Sequence, residues 1–197
     1  MEPSKTIRVP WTLEAKSTEG FGFADMENTD ENTQVVFTHN ATVLWQRRYY
    51  LFAMDDTGFG LIYGDTGQTY NQGDVIPAGF GGKRKIYMGE PEIQNPTGFK
   101  PAIDNVNVSP LVISVEDIDH PLWSHYVVVK NVTIGEIDQS YGVRTITDKD
   151  GNTGAIYSGT FFIDLPDDLT QSYDIYGIIN SYNSMYQLLP TRFEPAQ

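Results

Sequence analysis

Two groups of basic and aromatic residues carry the side chains best suited to binding a ligand. Aromatic rings stack on bases or sugars, and guanidinium groups pair with phosphates or carboxylates. The candidate ligand-binding residues are therefore Trp45, Arg47, Arg48, Tyr50, Lys83, Arg84 and Lys85. The plain interpretation is that each basic cluster is a solvated turn and that the aromatic rings pack in a core or between repeats. A ligand-binding role on strands is the alternative.

A second candidate site is a short acidic pattern at Asp148, Asp150 and Asn152, which alternate like the start of a calcium-binding loop. A complete EF-hand loop needs further oxygen ligands and ends in an acidic residue at position twelve. Counted from Asp148, position twelve is Gly159. The pattern therefore favours an ordinary hairpin turn, with a calcium site as the alternative. No cofactor is predicted.

Motifs for nucleophilic catalysis are absent from the sequence. The chain has no cysteine and three histidines, none of which forms a ligand-spaced pair with another. It has no Gly-x-Ser-x-Gly elbow and no glycine-rich phosphate loop leading into a helix. Acidic pairs such as Asp167-Asp168 are common among 26 acidic residues and do not by themselves indicate a glycosidase. The sequence therefore predicts a protein that is not an enzyme.

The charge of the chain limits its partners. The net charge is −13 and the isoelectric point about 4.4. Binding to a phosphate backbone depends on lysine and arginine releasing counterions, so a nucleic-acid partner is unfavoured. No stretch is long and apolar enough for a transmembrane segment. The partners that remain are a glycan or another protein, although oligosaccharide and single-stranded nucleic-acid binding both stay open for the aromatic residues.

The elements that must position these residues are repeated along the chain. Asp55-Asp56-Thr57-Gly58 before a Gly-x-Ile-Tyr-like strand returns about 93 residues later as residues 148–151. Residues 40–43 return as residues 131–134, and the closing Phe-x-Pro-Ala at residues 99–102 returns at residues 193–196. A repeat of this length is one small domain. The sequence therefore predicts two tandem domains.

Strand-like alternation predicts an all-β fold of two five-stranded Greek-key barrels of the OB type, each of about 80 residues, with one short helix near residues 114–122. Immunoglobulin-like sandwiches are the alternative, but these need about seven strands in about 100 residues. The predicted organisation is an N-terminal arm at residues 1–20, a first repeat at 21–102, a linker at 103–112 and a second repeat at 113–197.

The repeated residues resemble the tandem OB-like domains of exported proteins of the Bacteroidetes, a family largely without assigned activity. The resemblance rests on residues 131–134, on the Asp-x-x-Gly turn at residues 148–151, and on Gly-x-Ile-Tyr at residues 154–157. It also rests on Gly73-Asp74-Val75, where the second repeat has Tyr173 in place of the glycine. The resemblance implies a binding or assembly module of the cell envelope, in the periplasm or at the cell surface as a lipoprotein whose anchor lies outside this sequence.

Overall fold

The computed structural model describes residues 6–8, 20–138, 142–157, 163–182 and 185–197. Over these residues the fold is nearly all β-structure, as the sequence predicts. The chain divides into two compact units, residues 1–109 and residues 110–197. The stretch predicted as a linker contributes strands to both units, because β9 and β10 lie in the first unit and β11 lies in the second.

The first unit is built from short strands and one 3₁₀ helix, Phe23–Asn28. Its strands are β1 (Thr6–Arg8), β2 (Gln34–Val36), β3 (Ala41–Arg47), β4 (Tyr50–Met54), β5 (Phe59–Tyr63), β6 (Asp74–Ile76), β7 (Gly81–Tyr87), β8 (Glu90–Thr97), β9 (Asp104–Asn105) and β10 (Asn107–Ser109). β1 pairs in parallel with β10 as a separate two-stranded sheet. The remainder of the N-terminal arm lies outside the described residues.

The main sheet of the first unit curls back towards its own start. Its strand order is β2-β7-β8-β5-β4-β3-β6-β9, with β5 and β8 parallel and the other pairs antiparallel. β2 and β3 follow each other in the chain but lie at distant positions in this order. The backbone N–H of Phe37, just after β2, donates to the carbonyl oxygen of Phe80 at 2.8 Å. The sheet must therefore bend around a core.

That core is rich in phenylalanine. The rings of Phe37 and Phe80 stack with their centroids 4.7 Å apart, and Phe23 packs on Phe37 at the same distance. Phe23 and Met26 enter the core from the 3₁₀ helix. Alternate residues of the strands complete the core, namely Val35, Ala41, Val43, Leu51, Ala53, Ile62, Ile76 and Ile93.

The second unit repeats this plan with longer strands. Its strands are β11 (Leu111–Ile113), β12 (Tyr126–Asp138), β13 (Val143–Thr147), β14 (Thr153–Tyr157), β15 (Tyr173–Tyr182) and β16 (Met185–Pro195). The order is β11-β12-β13-β14-β16-β15, and β15 also pairs with β12. That last pairing closes a ring of five strands around a separate apolar core. β14 and β16 are parallel, as β5 and β8 are in the first unit.

The segment predicted as one short helix, residues 114–122, forms two 3₁₀ turns, Val115–Asp117 and His120–Leu122. Ile118 leaves the helical region with ψ of 80°, and Asp119 is fully extended. The Asp119 side chain caps the second turn by accepting from the His120 N–H at 2.7 Å. Pro121 has no backbone N–H to donate to the preceding turn, so a single helix through this segment would lose a hydrogen bond there, and the two turns stay separate.

Candidate functional site

A β-bulge sets the position of Trp45. Val43 pairs with Ala53 and Trp45 pairs with Phe52, so Leu44 is the extra residue on β3. Val43 and Ala53 both belong to the core. Because directly paired residues lie on the same face of a sheet, the bulge moves Trp45 to the outer face beside Phe52. Without it, strand alternation would turn this tryptophan inwards.

One line of side chains crosses this outer face in direct register: Arg47 on β3, Tyr50 on β4, Tyr63 on β5, Gln94 on β8 and Lys83 on β7. The Tyr50 and Tyr63 rings meet edge to face with centroids 5.0 Å apart. Tyr63 is 36% exposed and Arg47 is exposed. This line, called here the tyrosine line, therefore presents ring surface beside a guanidinium group.

The neighbouring line is mostly buried. It runs through Trp45, Phe52, Leu61, Glu92 and Lys85. Trp45 stacks on Phe52 with ring centroids 6.4 Å apart, and Phe52, Leu61 and Glu92 are each at most 4% exposed. Trp45 is therefore partly used in packing. Of the aromatic residues singled out in the sequence, Tyr50 belongs to the more accessible tyrosine line.

The interpretation of Lys83-Arg84-Lys85 as a solvated turn is wrong, because all three residues lie within β7. The two glycines before them, Gly81 and Gly82, also lie in β7, at positions where neighbouring strands approach closely. A Cβ on Gly81 would lie 2.0 Å from the Val35 carbonyl oxygen, and one on Gly82 would lie 2.6 Å from that of Gln94.

These three basic residues do not act as one cluster. Arg84 is 5% exposed and points away from the outer face. Its Nε donates to the Met26 carbonyl oxygen at 3.1 Å. Lys85 donates to the Asn32 side chain and lies 3.9 Å from Glu31. Lys83 shares the outer face, but β8 and β5 lie between it and β4, a separation of about 14 Å.

A pocket of about 620 Å³ opens where β3 ends, beside the two-residue turn of the β3–β4 hairpin. Here it is called the hairpin pocket. Its lining combines residues of the hairpin with a loop that follows β5: Gln46, Arg47, Arg48, Tyr49, Asp65, Thr66, Gln68, Thr69 and Tyr70. The two arginines proposed from the sequence therefore meet here. Gln46 and the loop were missed, because nothing in their spacing indicates that they approach the hairpin.

Gln46 holds the loop against the hairpin. Its Nε2 donates to the Gln68 carbonyl oxygen at 3.1 Å, and its Oε1 accepts from the Tyr70 N–H at 2.6 Å. The loop is also braced internally, since Asp65 Oδ1 accepts from the Gly67 N–H at 2.8 Å. This turn chemistry is the one local signal that marks the loop in the sequence. The wall of the pocket is thus preformed.

Tyr70 anchors the far end of the loop. The ring belongs to the core, and its hydroxyl donates to the Lys100 carbonyl oxygen at 2.7 Å. Burial, with a smaller contribution from the Asp74 carboxylate, raises the pKa of Tyr70 to about 12. The phenol therefore stays protonated at physiological pH and remains a hydrogen-bond donor.

The two arginines of the pocket differ in backbone conformation. Arg48 has φ of 53°, in the left-handed region that side chains other than glycine, asparagine and aspartate rarely occupy. Arg47 is an ordinary strand residue, and its guanidinium makes no hydrogen bond or ion pair with any side chain in the part of the chain that the structure describes. The corresponding turn of the second repeat includes residues 139–141, which lie outside the described residues.

The candidate calcium residues form a compact turn. Asp148 Oδ1 accepts from the backbone N–H of Asp150 at 2.9 Å and of Asn152 at 3.0 Å, and its Oδ2 accepts from the Asn152 side chain at 3.1 Å. The Asp150 carboxylate pairs with Lys149 at 2.7 Å. Burial alone would raise the pKa of Asp148, but the accepted hydrogen bonds together hold it below its ordinary value. This geometry is that of the hairpin turn.

No protein-family model matches the chain, and no curated protein matches it.

No helix in the described segments is long and apolar enough to cross a membrane.

Glu92 lies in the buried line of side chains that runs from Trp45 to Lys85, and its replacement tests the free-energy cost of burying a charge there. Burial raises the pKa of Glu92, and a hydrogen bond from Gln94 at 2.6 Å opposes that rise. A carboxyl group whose pKa is raised in the folded state stabilises the fold at pH values below its unfolded-state pKa. This stabilisation is lost as the pH rises through the folded-state pKa. We therefore expect Glu92→Gln to raise the free energy of unfolding at pH 7, measured by urea titration.

The same linkage predicts that the advantage of Glu92→Gln shrinks as the pH is lowered to about 4, near the ordinary pKa of glutamate. The exposed Glu116→Gln is the control and should change stability little at either pH. A gain from Glu92→Gln that is the same at both pH values would contradict the assignment of its cause to the buried charge.

Proposed function

We propose that this protein is a non-enzymatic binding module whose first unit binds an oligosaccharide at the hairpin pocket and along the tyrosine line. The observation that carries the proposal is a preformed polar pocket of about 620 Å³ directly beside exposed tyrosine rings. The volume lies within the range of about 300–1,000 Å³ that small-molecule sites occupy. Sugars need both features, because ring faces pack on aromatic side chains while hydroxyl groups bond to polar ones.

We further propose that both units are OB-like barrels. Five strands in ring order with one parallel pair support this topology in the second unit, and the first unit has the same order of its main strands. An immunoglobulin-like fold instead packs two antiparallel sheets face to face. OB-folds bind oligonucleotides and oligosaccharides on the face of their second and third strands and on the loop after the first. In the first unit these are β4, β5 and the Arg48–Tyr49 turn.

Single-stranded nucleic acid is the second candidate, and charge argues against it. A groove for nucleic acid tracks successive phosphates with several cations. Here Arg84 is buried, Lys85 is occupied by Asn32 and Glu31, and Lys83 lies about 14 Å from β4 across two strands. Two arginines on a chain of net charge −13 favour a ligand with few charges.

The place of action proposed for this module is the bacterial cell envelope, with a glycan or another envelope protein as its partner. This part of the proposal rests on the resemblance of the repeats to exported Bacteroidetes proteins. Fractionation of the native cells, with detection of the protein by antibody, tests it. Recovery in the cytoplasmic fraction alone would contradict it.

A glycan array probed with the whole chain tests the binding function. We expect defined oligosaccharides to bind and Gln46→Leu to lower the affinity about tenfold, because the loop loses both hydrogen bonds that hold it at the pocket. The matched control is Gln72→Leu, which removes a comparable bond from Gln72 Nε2 to the Leu44 carbonyl oxygen outside the pocket lining. Isothermal titration gives the affinities.

Three outcomes would contradict the proposal. The first is an empty array, and the second is tight binding of oligonucleotides that weakens steeply with salt. The third is release of new reducing ends from a bound glycan, which would reveal an enzyme. Thermal unfolding of both glutamine variants checks that the fold is retained.

A further inference from the structure

We infer that the ligand of the hairpin pocket is an acidic oligosaccharide, whose sugar carboxylates are paired by Arg47 with Arg48 beside it. This inference rests on the proposed function and names the class of sugar. It goes beyond that function because a neutral glycan would satisfy the tyrosine line and the polar loop equally well.

The first argument is the charge of Arg47. The chain has 26 acidic and 13 basic residues, so carboxylates are abundant everywhere on its surface. Yet the exposed Arg47 guanidinium pairs with none of them within the described residues. The pocket lining has two arginines, Arg47 and Arg48, and one acidic residue, Asp65, whose Oδ1 accepts from the Gly67 N–H. Two cations against one carboxylate leave the pocket an excess of positive charge that a ligand carboxylate would neutralise.

The second argument is the conformation of Arg48. A residue other than glycine held in the left-handed region costs free energy, and such strain is enriched at functional sites, while a two-residue hairpin turn also imposes it, as at Met88 between β7 and β8. Arg48 has φ of 53° at the first position of the β3–β4 turn, where glycine or asparagine is the usual choice. An arginine retained there lines the pocket next to Arg47. A planar guanidinium group matches a carboxylate with two parallel hydrogen bonds.

The third argument concerns the number of charges. Among the residues that the structure describes, the cations lining the pocket are Arg47 and Arg48, and Lys83 of the tyrosine line lies at the far side of β8 and β5. This arrangement suits one carboxylate flanked by neutral hydroxyl groups. The side chains of Gln68 and Thr69 on the loop can supply donors and acceptors for those hydroxyls, while the Thr66 hydroxyl is used within the loop, where it donates to the Gln68 carbonyl oxygen at 3.0 Å. Tyr49, 55% exposed, offers a ring face for a pyranose at the rim.

The experiment uses the whole chain and a panel of uronate oligosaccharides, made from galacturonate, mannuronate, guluronate and heparosan. Each is paired with its carboxyl-reduced form, which has the same rings and linkages but no charge. We expect a uronate ligand to bind about tenfold or more tightly than its reduced form. Arg47→Met should remove that difference, whereas the control Lys130→Met, at an exposed lysine of β12 outside the pocket and the tyrosine line, should preserve it. Raising the salt from 50 to 500 mM should weaken uronate binding only modestly.

The outcomes separate the inference from the proposed function. Equal binding of charged and reduced forms, or binding of neutral array glycans alone, would overturn the acidic class and leave the glycan-binding function intact. A preference for uronates that Arg47→Met leaves unchanged would overturn the role of Arg47. Failure of every charged and neutral glycan to bind would overturn both. Thermal unfolding of Arg47→Met and Lys130→Met confirms that each variant is folded.

Discussion

Asp55→Ala is expected to lower the free energy of unfolding of the first unit by about 3 kcal/mol, because it leaves several buried N–H groups without an acceptor. Asp55 is 8% exposed. Its carboxylate accepts from the N–H groups of Phe23 at 3.1 Å, Thr57 at 2.8 Å and Gly58 at 2.9 Å. The first of these bonds ties the β4–β5 turn to the 3₁₀ helix that fills one end of the core. Calorimetry should show the transition of this unit falling by more than about 10 °C.

The matched control is Asp148→Ala in the corresponding turn of the second unit. Asp148 likewise accepts backbone N–H groups, and within the described part of the second unit those donors belong to its own turn, near solvent. Water can replace the lost acceptor there, so the change in stability should be clearly smaller. Asp55→Asn should lie between wild type and Asp55→Ala, since one oxygen remains to accept. Equal losses from Asp55→Ala and Asp148→Ala would contradict the assignment of stability to the long-range bond.

Arg48→Gly is expected to move stability and binding in opposite directions. Glycine adopts φ of 53° without the steric penalty of a side chain, which is about 1–2 kcal/mol. Part of this gain is offset by the greater freedom of glycine in the unfolded chain, so the net gain is about 0.5–1 kcal/mol. The variant also removes a cation from the hairpin pocket, so affinity for a uronate ligand should fall about tenfold. Urea unfolding and isothermal titration measure the two effects.

Met88→Gly isolates the backbone contribution. Met88 has φ of 52° in the two-residue turn between β7 and β8, nearly the same conformation as Arg48 in the turn between β3 and β4. It does not line the hairpin pocket. We therefore expect a similar gain in stability with unchanged ligand binding. Loss of binding in Met88→Gly, or full binding in Arg48→Gly, would contradict the role given to the Arg48 side chain.

Local signals in the sequence were strongest at the turns. Aspartate followed closely by glycine predicted the β4–β5 and β13–β14 connections, and both turns use the aspartate carboxylate to accept backbone N–H groups. The prediction of these turns succeeds because a turn of this kind is specified by about four consecutive residues. The same strength explains why the repeat was visible: its shared residues are mostly turn and strand-entry residues.

Local signals misled where strands approach each other closely. A pair of glycines is a common hairpin signal, but Gly81 and Gly82 lie within β7, where β2 and β8 pass too near for a side chain. Lys83, Arg84 and Lys85 therefore lie along a strand, with the Arg84 side chain on the opposite face from those of Lys83 and Lys85. Alternation within β7 then buries Arg84 and separates it from the basic residues of the pocket.

The sequence by itself determined the all-β class, the tandem organisation and the two arginines as candidate ligand residues, because composition, repetition and turn chemistry are local properties of the chain. Only the tertiary structure decided which side chains share a site. The bulge at Leu44 turned Trp45 outwards, and the bonds from Gln46 brought a loop some twenty residues away to the hairpin. Strand register and long-range hydrogen bonds depend on partners that are distant in sequence, and no spacing within one segment encodes them.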